Sequence, residues 1–220
     1  MTPNRRTTPT RPNASTPLPT TIWLPTPGTP TATPDGRVLP DWAVRRAERE
    51  FCHRPGRLPT GLLRLAISDT GPGMDTRTPC VAHGTSGPAP GEVCLTPVIL
   101  AELHPDTLPT APAHGAYGPG EHGAIDDGWP GFFHRTHRLL RADGLLLIAT
   151  RQRRENGRLT DPLGLLIATA RTAGFRYLQH IAVVHGSPIG DRIEPTPPDA
   201  DAPGLIHSDL VVLSAVQTAQ

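Results

Sequence analysis

Six consecutive residues, Leu145-Leu146-Leu147-Ile148-Ala149-Thr150, carry no charge and no polar group before the closing threonine. A half-buried strand alternates apolar and polar residues. An unbroken apolar run of strand length instead suits a strand covered on both faces, as in a parallel sheet layered between helices. The sequence on either side reads as the helices such a strand needs. Trp129, Phe132, Phe133, Thr136 and Leu140 fall at i, i+3, i+4, i+7 and i+11, one face of a helix that Gly144 closes. After the run comes a polar turn, Arg151–Leu159. Asp161 then caps a second helix with Pro162 at its first position, a stripe of Leu163, Leu166, Ile167 and Ala170, and Gly174 at its end. Tyr177–Val184 reads as a strand, and Leu205–Val216 holds another around Leu210-Val211-Val212-Leu213. The first crossover joins parallel strands and is right-handed. The last two strands pair antiparallel across a Pro-rich excursion.

The N-terminal half is less regular. Residues 1–34 hold 9 Pro and 11 Thr, and each proline fixes φ and removes a donor. With so little apolar material to offset the ordering entropy, 1–34 is expected to be a disordered, partly polyproline tail, and 35–220 a single α/β domain. Within the tail, Ile22 and Trp23 are the residues suited to docking on the folded part. Asp41–His53 reads as a helix capped by Asp41, and Leu62–Ser68 as a strand. Residues 70–90 and 104–128 read as loops rich in Gly, Pro and His. Between them lies a second apolar run, Val93–Leu100, in which Pro97 predicts a strand ending near Thr96.

Composition excludes several classes of function. The formal net charge is +1, too small for a protein that wraps duplex nucleic acid by bulk charge. Every basic residue is Arg, so Schiff-base and P-loop lysine chemistry is absent. Cys52, Cys80 and Cys94 are too few and too scattered for a disulfide framework, which points to a reducing compartment. No apolar run reaches the roughly 18 residues of a membrane span, and the N-terminus has no secretory apolar segment. A cytoplasmic protein with no membrane partner is expected.

Other groupings have ordinary explanations. His134 and His137, and Cys80-x-x-His83, have ligand-like spacing but sit in unrelated contexts, so no metal site is expected. Asp126-Asp127 reads as a solvated loop flanking the helix. Arg151, Arg153 and Arg154 follow the carboxyl end of a buried strand, the edge where ligands bind in open α/β sheets; phosphate contact and a solvated turn both fit them. Ser187, Ser208 and His207 show no nucleophile-elbow pattern.

One family resemblance emerges. Leu139-Leu140-Arg141-Ala142-Asp143-Gly144, then the apolar run, then Thr150-Arg151, resembles the leucine–arginine–proline–glycine–glycine, strand, arginine passage of Rossmann-like S-adenosylmethionine-dependent methyltransferases. The closer likeness is to bacterial amino-directed DNA methylases, which methylate the exocyclic amine of adenine or cytosine. Tyr117-Gly118 matches a Tyr-Gly ahead of the helix, Gly157-Arg158-Leu159-Thr160-Asp161 a Gly-x-Leu-x-Asp after the strand, and His207-Ser208-Asp209 a His-x-Asp opening the final strand. The likeness spans residues 114–214.

It implies a truncated Rossmann-like methyltransferase sheet, mostly parallel with an antiparallel C-terminal strand. It also implies S-adenosyl-L-methionine as cofactor and DNA as partner. The cofactor turn would be Asp69-Thr70-Gly71-Pro72-Gly73, with Asp69, Gly71 and Gly73 lining it. The catalytic motif, a small polar residue, two prolines and an aromatic, corresponds to Thr96-Pro97-Val98-Ile99. Thr96 and Pro97 would hold the amine, but one proline is missing and so is the aromatic that stacks on a flipped base. The stretch between Ser68 and Val93 is also too short for two strands with their crossovers, each needing about ten residues or more. Two functions follow: a methylase of the exocyclic-amine type, or a catalytically inactive relative that binds or regulates an active methyltransferase.

Overall fold

The computed structural model describes residues 20–31, 33, 37–53, 60–67, 80–83, 96–103, 124–155, 158–195 and 206–216. The apolar run lies in β5 (Leu140–Thr150), buried from Gly144 onward. On one side β5 pairs parallel with β4 (Thr96–Leu103), which pairs parallel with β2 (Leu62–Ile67). On the other side it pairs antiparallel with β11 (His207–Ala215), which in turn pairs antiparallel with β8 (Phe175–Val184). The edges are β1 (Thr20–Trp23), parallel to β8, and β3 (Cys80–His83), antiparallel to β2. The sheet order is therefore β1-β8-β11-β5-β4-β2-β3, with β11 and β3 running against the rest. This is the mixed, mostly parallel sheet with an antiparallel C-terminal strand that was expected.

Two layers cover the sheet, and the pleat of β5 shows why its sequence is continuous. Leu146 and Ile148 face Phe132 and Phe133 of α2 (Ala124–Leu139) and Leu166 and Ala170 of α3 (Leu163–Thr172). Leu145, Leu147 and Ala149 face the opposite layer, made by Val38, Leu39 and the Trp42, Ala43 and Ala47 side of α1 (Asp41–Ala47). Successive side chains point to opposite faces, so both parities must be apolar. A π-helical turn, Glu48–Cys52, continues α1. Two small hairpins complete the described residues: β6–β7 (Arg153–Glu155 with Arg158–Thr160) in the polar turn, and β9–β10 (Gly186–Ile189 with Arg192–Pro195) in the excursion.

Several expectations are corrected. The strand predicted to end near Thr96 begins there and runs to Leu103. Pro97 is tolerated because the register shifts around it: Thr96 is opposite Leu140 while Val98 is opposite Leu145, so no ladder donor is needed. The extra residues bulge from β5, where Asp143 takes φ 61°. Gly144 sits in this bulge rather than closing α2, and a Cβ there would lie 2.9 Å from the Arg141 carbonyl oxygen. Residues 70–90, expected as loop, contain β3; it is the one strand between β2 and β4 among the described residues. Asp41 does not cap α1; Pro40 precedes the helix, and Asp41 instead pairs with Arg37 at 2.6 Å. Asp161, by contrast, accepts the Leu163 amide at 2.9 Å as expected.

The segment 1–34 is not wholly a tail, because β1 belongs to the sheet; residues 1–19 lie outside the described residues. Trp23 is 1% exposed, packs 6.4 Å from Phe51 between ring centroids, and carries the Arg46 guanidinium 4.7 Å above its ring. Trp23→Ala is expected to destabilise the protein by about 3–5 kcal/mol in urea unfolding, as for any buried aromatic. A change under about 0.5 kcal/mol, typical of a surface substitution, would show that β1 is dispensable.

Candidate functional site

Strands β2, β4, β5 and β8 end at the same edge of the sheet, and β11 begins there. From β2 the chain turns outward to β3, whereas β4 is followed inward by β5. The boundary between β2 and β4 is thus the topological switch point, where open α/β sheets bind ligands. The polar core concentrates at this carboxyl edge. Of the eight buried polar residues among those described, Glu102, Thr150, Arg151, His185, Ser208 and Asp209 all lie there; Thr136 and Ser214 do not.

On the α1 side most groups are partnered, although Arg37 Nε and Nη2 and Arg64 Nε are buried without a hydrogen bond. Glu102, the penultimate residue of β4, accepts from Arg64 Nη2 at 2.8 Å, faces Arg37 Nη2 at 3.6 Å, and accepts the Val38 amide at 3.3 Å. Arg151 is buried and donates to the Arg37 carbonyl, so it is not part of a solvated turn. Ser208 Oγ donates to the Val38 carbonyl at 2.9 Å and lies 2.7 Å from His185 Nε2. Since the serine proton is already committed, His185 Nε2 must be the donor in that pair. Its Nδ1 is then the acceptor for Thr33 Oγ1 at 3.3 Å. This neutral tautomer has every ring nitrogen partnered. Burial, with the charges of Arg151 and His207 adding to it, pushes the His185 pKa down to about 4.

On the α2/α3 side lies a second cluster. Asp209 Oδ1 accepts from His180 Nε2 at 2.8 Å and stands 3.5 Å from His207 Nε2. The bond to Asp209 raises the His207 pKa; burial opposes it, and the charges of Asp209 and Asp161 reinforce it. Two buried atoms here have no hydrogen-bond partner, Asp209 Oδ2 and Thr150 Oγ1, and these two residues face each other across β11 and β5.

The residues singled out from the sequence are placed unequally. His207-Ser208-Asp209 opens the final strand, and Thr150, Arg151 and Asp161 join it at one edge. Thr96 and Pro97 are at the opposite, amino edge. Ile67, the last residue of β2, pairs with Leu103, and Thr96 lies seven residues back along β4, about 23 Å at ~3.3 Å per residue. Asp69, Gly71 and Gly73, like Tyr117-Gly118 and Gly157, lie outside the described residues. His137 contacts the Phe175 ring and the Val216 carbonyl, a packing role, and among the described residues no three potential ligands are grouped for a metal. Glu102, Arg64, Arg37, His180 and His185 were not foreseen. The one available signal was Glu102, the lone charge inside Val98–Leu103.

No family model and no curated protein matches the sequence. Among solved structures the chain is similar to a candidate DNA modification methylase from Thermus thermophilus, complexed with S-adenosyl-L-methionine. Identity is 18% and the TM-score 0.30, over 44% of this chain and 39% of that one. The selenomethionine derivative of the same protein gives 17% identity and a TM-score of 0.29 over 44% and 38% of the two chains. The chain thus covers well under half the length of the protein it is compared with. No described helix is long and apolar enough to cross a membrane.

The two imidazoles respond oppositely to pH. An unfolded His titrates near 6.5 and folded His185 near about 4. Between these values only the unfolded chain binds the proton, so this contribution is complete above pH 6.5 and is lost as pH falls toward 4. From pH 7 to pH 5, His185 alone should remove about 2 kcal/mol. His207, with its raised pKa, stabilises below 6.5 and loses that contribution as pH rises through its folded value. Urea midpoints at pH 5, 6 and 7 should therefore show a shallower acid loss in His185→Gln and a steeper one in His207→Gln. Parallel profiles in all three proteins would refute the assignment.

Proposed function

We propose that this chain is a methyltransferase-like α/β protein related to the amino-directed DNA methylases, with S-adenosyl-L-methionine held at the carboxyl edge of β2 and β4. The observation that carries the proposal is convergence. Thr150-Arg151, Asp161 and His207-Ser208-Asp209, which the family resemblance picked from three separate stretches, meet at one end of one sheet. That end is where an α/β sheet of this topology takes a ligand.

The residues present limit how the cofactor would be held. Glu102 is already neutralised by Arg64 and Arg37, so it is not the acid that would take a ribose hydroxyl. Asp69, two positions beyond β2, would line the cofactor turn with Gly71 and Gly73, the glycines letting the backbone approach closely, and no acid in the sequence corresponds to the ribose-holding one. The cofactor would supply the methyl group. Thr150 Oγ1 and Asp209 Oδ2 are unpartnered on the α2/α3 side of the edge, but both residues are fully buried, so they would not touch an acceptor molecule as they stand.

A second reading, an inactive module that binds DNA or an active methyltransferase, is favoured by one observation. Thr96 and Pro97, the pair meant to hold the amine, are at the amino edge of β4. Calorimetry with S-adenosyl-L-methionine decides first. Binding is expected, with Asp69→Ala weakening it and Thr96→Ala leaving it unchanged. No heat at millimolar ligand removes the cofactor assignment. Binding without transfer of a labelled methyl group to DNA selects the inactive module.

A further inference from the structure

On the α1 layer, just beyond the carboxyl end of β1, a cleft of about 430 Å³ opens between the segment Leu24–Thr29 and the helix that runs from α1 through the π turn. None of its lining residues belongs to the edge cluster. Trp42, Arg45, Arg46, Arg49 and His53 form one wall, and Leu24, Thr26 and Thr29 the other. The sequence offsets of the helical wall (0, 3, 4, 7 and 11 from Trp42) place these residues along one stripe of a helix.

The cations in this stripe are not equivalent. Arg46 is engaged by Glu50 at 2.7 Å and by the Trp23 ring. Arg45 and Arg49 are exposed and make no ion pair or hydrogen bond among the described residues. Glu48 is the sole acid in the lining, against three arginines. The Trp42 indole Nε1 is buried without an acceptor although Trp42 borders the cleft. Two free guanidinium forks, threonine hydroxyls opposite them and an indole ring in a cleft of this volume suit a phosphate group attached to a flat heterocycle. The chain's own N-terminus is a poor occupant: residues 1–19 contain Arg5, Arg6 and Arg11 and no acid.

We propose that this cleft binds a nucleotide through its phosphate, with Arg45 and Arg49 as the phosphate ligands. The proposal does not depend on the methyltransferase reading, because it uses no residue of the Glu102 or Asp209 clusters and no S-adenosyl-L-methionine. The nucleotide is either free or a unit of a nucleic-acid strand, and two probes separate the sources. The full chain is titrated with adenosine monophosphate and with a short single-stranded DNA, followed by calorimetry and by tryptophan fluorescence. At least one probe should bind, and the tighter of the two identifies the source. The double variant Arg45→Ala/Arg49→Ala should weaken that binding at least about tenfold with an unchanged thermal melt, since both side chains are exposed. Glu48→Gln should strengthen it about threefold by removing the opposing charge. Trp42→Phe should abolish the fluorescence change. Failure of both probes at millimolar concentration, or binding equal in the double variant, overturns the proposal.

Discussion

The burial of β5 on both faces is the constraint on which the rest depends. A strand with apolar side chains of both parities cannot sit in a two-layer fold, so α2 and α3 must pack on one side and α1 with Val38 and Leu39 on the other. Each layer then fixes a different part of the chain. The α2–α3 layer is local in sequence, since both helices flank β5 directly. The α1 layer is distant, and it has to be brought back across the sheet from the N-terminal third.

That return is secured at the carboxyl edge rather than by apolar contact alone. Val38 is held through both its backbone groups, the amide by Glu102 and the carbonyl by Ser208, while Arg151 takes the Arg37 carbonyl. Burying Glu102 is costly unless it is paired, and its pairing uses an arginine from β2 and one from the returning segment. Glu102 belongs to β4, Ser208 to β11 and Arg151 follows β5, so three parts of the sheet grip one dipeptide.

How much of this was legible follows from where the information lies. The C-terminal half could be read because its signals are local: an apolar run, a helical stripe from Trp129 to Leu140, and the Asp161-Pro162 start of α3. The N-terminal half depends on partners distant in sequence. Thr20–Trp23 has no strand signature beyond Ile22 and Trp23, and it is a strand because β8 offers an edge and the Phe51 and Arg46 side chains cover Trp23. Cys80–His83 is four residues inside Gly- and Pro-rich sequence, below what periodicity can detect. Pro97 misled for a more specific reason. A proline ends a strand only where its missing amide would have been bonded, and the bulge at Arg141–Gly144 removes that requirement. The direction of β4 at the edge, and with it the placement of Thr96, turned on a register shift that only the partner strand specifies.

The polar residues of this edge are bonded differently on its two faces. On the α1 side a hydroxyl–imidazole–hydroxyl–carbonyl chain runs matched from Thr33 through His185 and Ser208 to Val38, beside nitrogens of Arg37 and Arg64 that are buried without a partner. A matched buried network rigidifies and has no capacity left for a ligand. On the α2/α3 side Asp209 serves two imidazoles with one oxygen and leaves the other without a partner, beside a threonine hydroxyl in the same state. Each such atom, on either face, costs roughly 1–3 kcal/mol in the folded protein. Both faces of the edge thus hold buried polar atoms without partners, arginine nitrogens on the α1 side and oxygens of the facing residues Thr150 and Asp209 on the other. The resemblance motifs Thr150-Arg151 and His207-Ser208-Asp209 straddle that division. Arg151 and Ser208 bond the returning segment at Arg37 and Val38, while Thr150 and Asp209 face the α2/α3 layer, where Asp209 holds His180.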